Sequence, residues 1–344
     1  MLLSDFFVLL TREPITVIAI LLLSGVITVN GWTDAPTAIA TCISTKSIRP
    51  KKAIFLASAM NFLGVTLMSL FSGKVVDTIT GIADFGNNPE LACLTLCSSM
   101  ITIIVWAVTA WFFGIPTSES HALIASLAGA SVALSHDFSS VSSDEILKTI
   151  SGLFVSTVSG FILGFITVKI IGSIIKNKNR INTDICFRHL QNLAAAFMAF
   201  MHGAQDGQKF IGVFILITGY SSVSYDINKL YLIIYVSVLM AAGTSMGGMK
   251  IIKAMGNDMV KLKKYQGFSA DLSGALSLFI STITGLPVST THTKTTAIMG
   301  VGAAYKISSV DWKIAKEMLL TWLFTFPGCG FLGYLFTELF LYLR

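Results

Sequence analysis

Long apolar blocks separated by short polar stretches dominate the chain, near positions 15–45, 53–73, 91–113, 117–134 and 150–175, then 190–219, 230–249, 267–284, 288–305 and 318–341. Several can cross a hydrocarbon layer of ~30 Å, which takes about 20 helical residues. Helices satisfy their own backbone polar groups in lipid, so the pattern predicts an all-α polytopic membrane protein with five membrane segments in each half. Composition agrees: 53 % of the 344 residues are hydrophobic and 12 % charged, too little charge for a water-soluble surface. The first block, from Ile15 to Val29, lacks the basic start and small-residue cleavage site of a signal peptide and reads as a retained span.

Polar stretches interrupt these blocks where a bilayer makes them costly, and they recur. "GIPTSESHALIASLAG" (Gly114 to Gly129) aligns with "GLPVSTTHTKTTAIMG" (Gly285 to Gly300) at an offset of 171, and "NGWTDAPTAIAT" (Asn30 to Thr41) aligns with "HGAQDGQKFIGV" (His202 to Val213) at 172. Two motifs in one order at one spacing mark an internal duplication, with repeats at 1–180 and 181–344. Five segments per repeat force the second copy into the membrane upside down. Charge agrees: loops 46–52, 176–189, 250–266 and 306–316 all fall on one side and hold 16 of the 24 Lys and Arg residues. The other side has Arg12, Lys74, Lys148, Lys229 and Arg344. The basic side is therefore expected to be cytoplasmic, with both termini outside, and the net charge of +6 reflects those loops rather than nucleic-acid binding.

Segments 15–45 and 190–219 are longer than a straight span requires, so each is expected to break near Gly31 or Gly203, exposing half-helix ends within the bilayer. The pairs 91–113 with 117–134 and 267–284 with 288–305 are each either two full crossings or one re-entrant hairpin, which segment counting does not separate.

Asp34 and Asp206 are carboxylates inside spans, where each costs ~3 kcal/mol or more. Each either caps its own broken helix or ligates a hard cation such as Na⁺; the matching position of the second Asp favours the ligand. Ser118, Ser120, Ser289, Thr290 and Thr291 lie at predicted helix N-termini, where free N–H groups and hydroxyls suit an anion, although each alone serves equally well by back-bonding to its own helix. His121, His202 and His292 belong to the repeated motifs but lack an HExxH pair, so no transition-metal site is expected. Lys209 and Lys294 are charge partners for the aspartates or a bound anion, or they snorkel to an interface. Glu119 and Asp271 are further intramembrane acids. Cys42, Cys93, Cys97, Cys186 and Cys329 show neither disulfide nor zinc spacing.

These motifs resemble those of the inorganic phosphate transporter (PiT) family over essentially the whole chain. "HGAQDGQKFIG" looks like the family's "HGxNDxQKxxG", and both turns fit its "PxSxxH" pattern. The resemblance implies an inverted-repeat fold with two re-entrant hairpins meeting near the midplane, within a homodimer. It implies phosphate at Ser118, Ser120, Ser289, Thr290 and Thr291, and a coupling ion, Na⁺ or H⁺, at Asp34 and Asp206. Thr33, Thr37 and Gln205 replace family asparagines in the cation set, and Glu119 adds an acid that binds a cation or a proton. The expected function is cation-coupled phosphate symport across the cell membrane by alternating access, with no further cofactor. Sulfate is the alternative substrate; a passive anion channel and an intramembrane metalloenzyme are the alternatives from other classes.

Overall fold

The computed structural model describes residues 13–220 and 229–344, the side chains of 257 and 258 excepted, so Arg12 lies outside the described residues. The first repeat contains α1 (Pro14–Thr33), α2 (Pro36–Ser44), α3 (Pro50–Phe71), the short α4 (Lys74–Thr80), α5 (Pro89–Phe113), α6 (Glu119–Ser135) and α7 (Ser143–Ile175). The second contains α8 (Arg180–Gly219), α9 (Lys229–Met246), the short α10 (Met249–Lys253), α11 (Lys264–Thr284), α12 (Thr290–Tyr305) and α13 (Trp312–Leu343). Helices α1, α2, α3 and α5 each begin on proline, whose missing N–H costs nothing in a first turn.

Among the described residues, six stretches are long and apolar enough to cross a membrane: Pro14–Ser44, Pro50–Phe71, Pro89–Phe113, Ser143–Ile175, Lys229–Met246 and Trp312–Leu343. The four remaining long helices, α6, α8, α11 and α12, carry the buried polar residues that lower their apolarity. Phe55, Phe71, Phe154, Phe324 and Phe331 are exposed on α3, α7 and α13, the composition of a lipid-facing rim.

The main packing relations have counterparts. Helix α6 packs on α13 as α12 packs on α7; α3 packs on α8 as α9 packs on α1; α3 and α9 meet each other across the pseudo-twofold. Small residues allow these approaches. A Cβ on Gly31 would lie 2.5 Å from Met240 O, and one on the equivalent Gly203 would lie 2.4 Å from Asn61 O, so each motif glycine lets two backbones touch. Even the connections repeat: an isolated bridge pairs Ala83 with Val141 in one half and Val260 with Val310 in the other.

The expected helix break occurs in only one copy. α1 ends at Thr33 and α2 begins at Pro36, because Pro36 has no N–H for the carbonyl of Trp32 and its ring crowds that turn. The corresponding residue of the second copy is Gln208, which keeps its N–H, and α8 runs unbroken through 202–213 over its 40 residues. The prediction of a break near Gly203 is corrected accordingly. Gly203 serves the close approach to α3, not a change of direction.

Two hydrophobic cores flank the motif residues. One includes Leu23, Ile27, Leu96, Leu123, Ile211, Val213 and Ile217; the other includes Ile39, Met198, Met201, Leu278 and Ile298. Along α1 and α2, and again along α8, the polar positions separate one core from the other. They form a polar layer with apolar packing above and below.

Candidate functional site

The two Gly-x-Pro turns build this layer. Gly114 and Gly285 end α5 and α11 in the left-handed conformation, at φ 71° and 77°, where glycine carries no Cβ penalty. Extended residues follow, and Ser118 and Ser289 then cap α6 and α12, each hydroxyl accepting the N–H of the residue three ahead, His121 or His292, at 3.2 Å. The tips meet. Ser120 Oγ donates to Val288 O at 3.3 Å, and the His121 and His292 rings pack edge to face with centroids 4.6 Å apart. His292 also stacks on Trp322 at 3.7 Å.

Lys209, on α8, ties both tips to the long helix. Its ammonium has three protons and three acceptors: Ser120 Oγ on the first tip, Val288 O on the second at 2.6 Å, and Asp206 Oδ1 at 2.7 Å. The other oxygen of Asp206 lies 3.4 Å from Asn30 Nδ2, 3.4 Å from His202 Nε2 and 3.3 Å from Thr290 Oγ1. Asp34, at the break between α1 and α2, accepts from Thr291 Oγ1 and lies 3.3 Å from Thr290 Oγ1. Thr290 thus faces both motif carboxylates with a single proton, which serves one of them at a time.

One ligand atom each of Asp34, His202 and Asp206 lies within 4.8 Å of the others, the only such cluster of three or more His, Cys, Asp or Glu side chains among the described residues. Two ionised carboxylates at that separation repel by roughly 3 kcal/mol at an effective dielectric of about 20. Glu119, which accepts from Thr33 Oγ1, is buried beside them with Oε2 lacking a hydrogen-bond partner. The Thr37 hydroxyl and Asn30 Oδ1 are likewise buried and unpartnered. With all three carboxylates ionised and Lys209 charged, the layer carries an excess of two negative charges. A cation fits the donor set: carboxylate and hydroxyl oxygens are what a hard ion takes. Thr33, Asp34, Glu119, Trp111 and Ile115 to Thr117 line a cavity of about 10 Å³, room for about one water-sized group, so this conformation is closed around its polar layer.

Not every candidate from the sequence joins the cluster. Gln205 donates to Leu286 O at 2.8 Å and accepts from Thr282 Oγ1 at 2.6 Å, which commits its amide to holding the second turn. Lys294 stands apart from the motif aspartates and pairs with Asp271, an acid without a partner assignable from sequence; Thr41 bonds to both. Asn30 was missed. Its position opposite His202 in the repeat alignment was the available signal, since both residues reach the same oxygen of Asp206.

Residues 30–333 match the family described as the phosphate transporter family. The chain is 38 % identical to a "Probable low-affinity inorganic phosphate transporter" of Bacillus subtilis (strain 168), covering 89 % of this chain and 91 % of that one. It is 36 % identical to a protein of the same description from Rhizobium meliloti (strain 1021), over 88 % of this chain and 90 % of that one. Among solved structures, one titled "The sodium-dependent phosphate transporter" superposes with a TM-score of 0.85 at 19 % identity, covering 96 % of this chain and all of that one. The fold is that of the multi-span inverted-repeat transporter, and by sequence the chain belongs to the phosphate transporter family.

Proposed function

We propose that this chain carries inorganic phosphate across the cell membrane together with cations, by alternating access around the layer where the two turns meet. The observation that carries this reading is Thr290: one hydroxyl, 3.3 Å from Asp34 and 3.3 Å from Asp206, placed on the same turn as the hydroxyls suited to an oxyanion. A cation between the carboxylates relieves their repulsion and takes the hydroxyl's lone pairs, freeing its proton for phosphate. Coupling follows from charge. Phosphate, with one or two negative charges, meets three carboxyl groups and a single ammonium in the same low-dielectric layer and enters only with compensating ions or protons.

Ser120, Thr290 and Thr291 are the phosphate donors in this scheme, helped by the N-termini of α6 and α12, with Ser118 and Ser289 orienting those N-termini as caps. Asp34 and Asp206, with Thr33, Thr37 and Asn30 nearby, hold the cation. Na⁺ is favoured by the oxygen-rich donor set, and the structural neighbour's title names sodium dependence. A proton has one specific observation behind it. Thr33 Oγ1 faces Val29 O at 2.7 Å as well as Glu119 Oε1, and a proton on Glu119 would satisfy both acceptors. The homodimer and the placement of both termini outside, with the basic loops cytoplasmic, complete the proposal.

Radiolabelled phosphate uptake into proteoliposomes tests it, with separate Na⁺ and pH gradients. Accumulation above the external concentration, driven by one gradient and resistant to excess sulfate, is expected. Downhill flux alone would indicate a channel, and competition by sulfate at equal concentration would move the substrate class.

A further inference from the structure

A further cavity lies away from the turns, at the end of the molecule where the two repeats join. Its volume is about 760 Å³, and five cations line it: Lys176, Lys178, Arg180, Lys263 and Lys264. Among the described residues its lining contains one acid, Asp184, which is already paired with Lys264. Two helices start on this cavity. α8 begins at Arg180, where Asn179 Oδ1 takes the N–H groups of Ile181 and Asn182, and α11 begins at Lys264. The N-terminal ends of both helices add positive dipole charge to the four cations that Asp184 leaves unpaired among the described residues. Beside this basic wall, Ile174, Ile181 and Ile185 are exposed, at 65 %, 71 % and 51 %. Exposed isoleucines next to unneutralised cations have a natural counterpart in a molecule that is anionic at one end and apolar at the other.

We infer that this cavity binds the phosphate group of an anionic phospholipid, its headgroup among Lys178, Arg180 and Lys263 and its acyl chains along the isoleucine face. The site is separate from the transported phosphate and independent of which gradient drives transport. Its lining gives it consequences. Thr45 follows directly on α2, the half-helix beside Asp34, and Lys263 and Lys264 lead into α11, which ends at the second turn. A bound headgroup would hold the junction of both repeats against the helix that carries Lys209.

Native mass spectrometry of the detergent-purified chain, titrated with phosphatidylglycerol or phosphatidylcholine of equal acyl length, tests the inference. The wild type should retain phosphatidylglycerol preferentially. The Lys178→Gln, Arg180→Gln, Lys263→Gln triple variant should lose that preference by about 100-fold, from ~1 kcal/mol per basic residue at an anionic surface. An unchanged thermal midpoint in lipid-free detergent would show that the variant is folded. Equal retention of the two lipids by the wild type, or an undiminished preference in the folded variant, would overturn the proposal. Release of phosphatidylglycerol by millimolar inorganic phosphate would assign the site to a soluble anion instead. Because the readout is lipid retention, a failed uptake assay would not be mistaken for a failed lipid site.

Discussion

The two motif aspartates differ in what they leave behind when neutralised. Asp206 is the counter-charge of a buried ammonium, Lys209, so Asp206→Asn strands that charge and should cost about 3–5 kcal/mol. The hydrogen bonds to the Asp34 carboxylate come from two hydroxyls, Thr290 and Thr291, and an asparagine amide oxygen can still accept from one of them. Asp34→Asn should therefore keep the thermal midpoint within a few degrees while abolishing the dependence of uptake on the driving cation; Asp206→Asn should lower both. Scanning fluorimetry beside the uptake assay separates the two outcomes. The sequence made both aspartates visible, because a carboxylate in an apolar run is anomalous on its own. It did not reveal that Lys209 serves one and Lys294 serves Asp271 instead, since both lysines lie in repeated motifs and partner choice depends on helix rotation. Gln205 was misplaced for the same reason: its letter suits a cation ligand, but its neighbour is the turn backbone at Leu286.

Among the elements, the short helices α4 and α10 occupy equivalent positions in the two halves. Lys250 on α10 donates to Phe112 O at 3.1 Å, and Lys74 on α4 donates to Ile283 O, also at 3.1 Å. Phe112 and Ile283 are 171 residues apart, so each ammonium closes the last turn of the equivalent hairpin limb, where free carbonyls favour a cation. Lys250 also lies over the rings of Trp111 and Phe112, with 4.6 and 5.0 Å to the centroids, whereas α4 adds a hydroxyl contact, Thr78 Oγ1 to Gly285 O at 3.1 Å. Under inversion, these are latches on opposite faces. Lys250→Met should increase labelling of a cysteine at Thr117 by a membrane-impermeant maleimide from the α10 side, and Lys74→Met should increase labelling at Val288 from the α4 side. Increased labelling from the same side for both would rule out paired gates. The hairpins were legible as Gly-x-Pro turns followed by hydroxyls, but the latches were not, because the short helices that carry Lys74 and Lys250 differ in sequence.

For the whole molecule, the duplication was the most legible feature and the unbroken α8 the least, since the repeat alignment carried the break forward while a single substitution, Pro36 against Gln208, removed its cause. The proposed division at 180 falls on the first residue of α8, next to the Lys176 to Asn179 linker. Most interhelical packing crosses that division, so residues 1–178 and 179–344 expressed from separate genes should copurify and restore uptake, while neither alone should give a stable band. Recovery of a folded, monodisperse half would contradict the reciprocal packing described for α6 on α13 and α12 on α7. That exchange also sets a timetable for biogenesis. The first hairpin leaves the ribosome before any of the second repeat, but the helix it leans on, α13, follows all the other described helices of that repeat, so its hydroxyl-bearing limb must wait in the translocon or in lipid, unsupported, until α13 has been made.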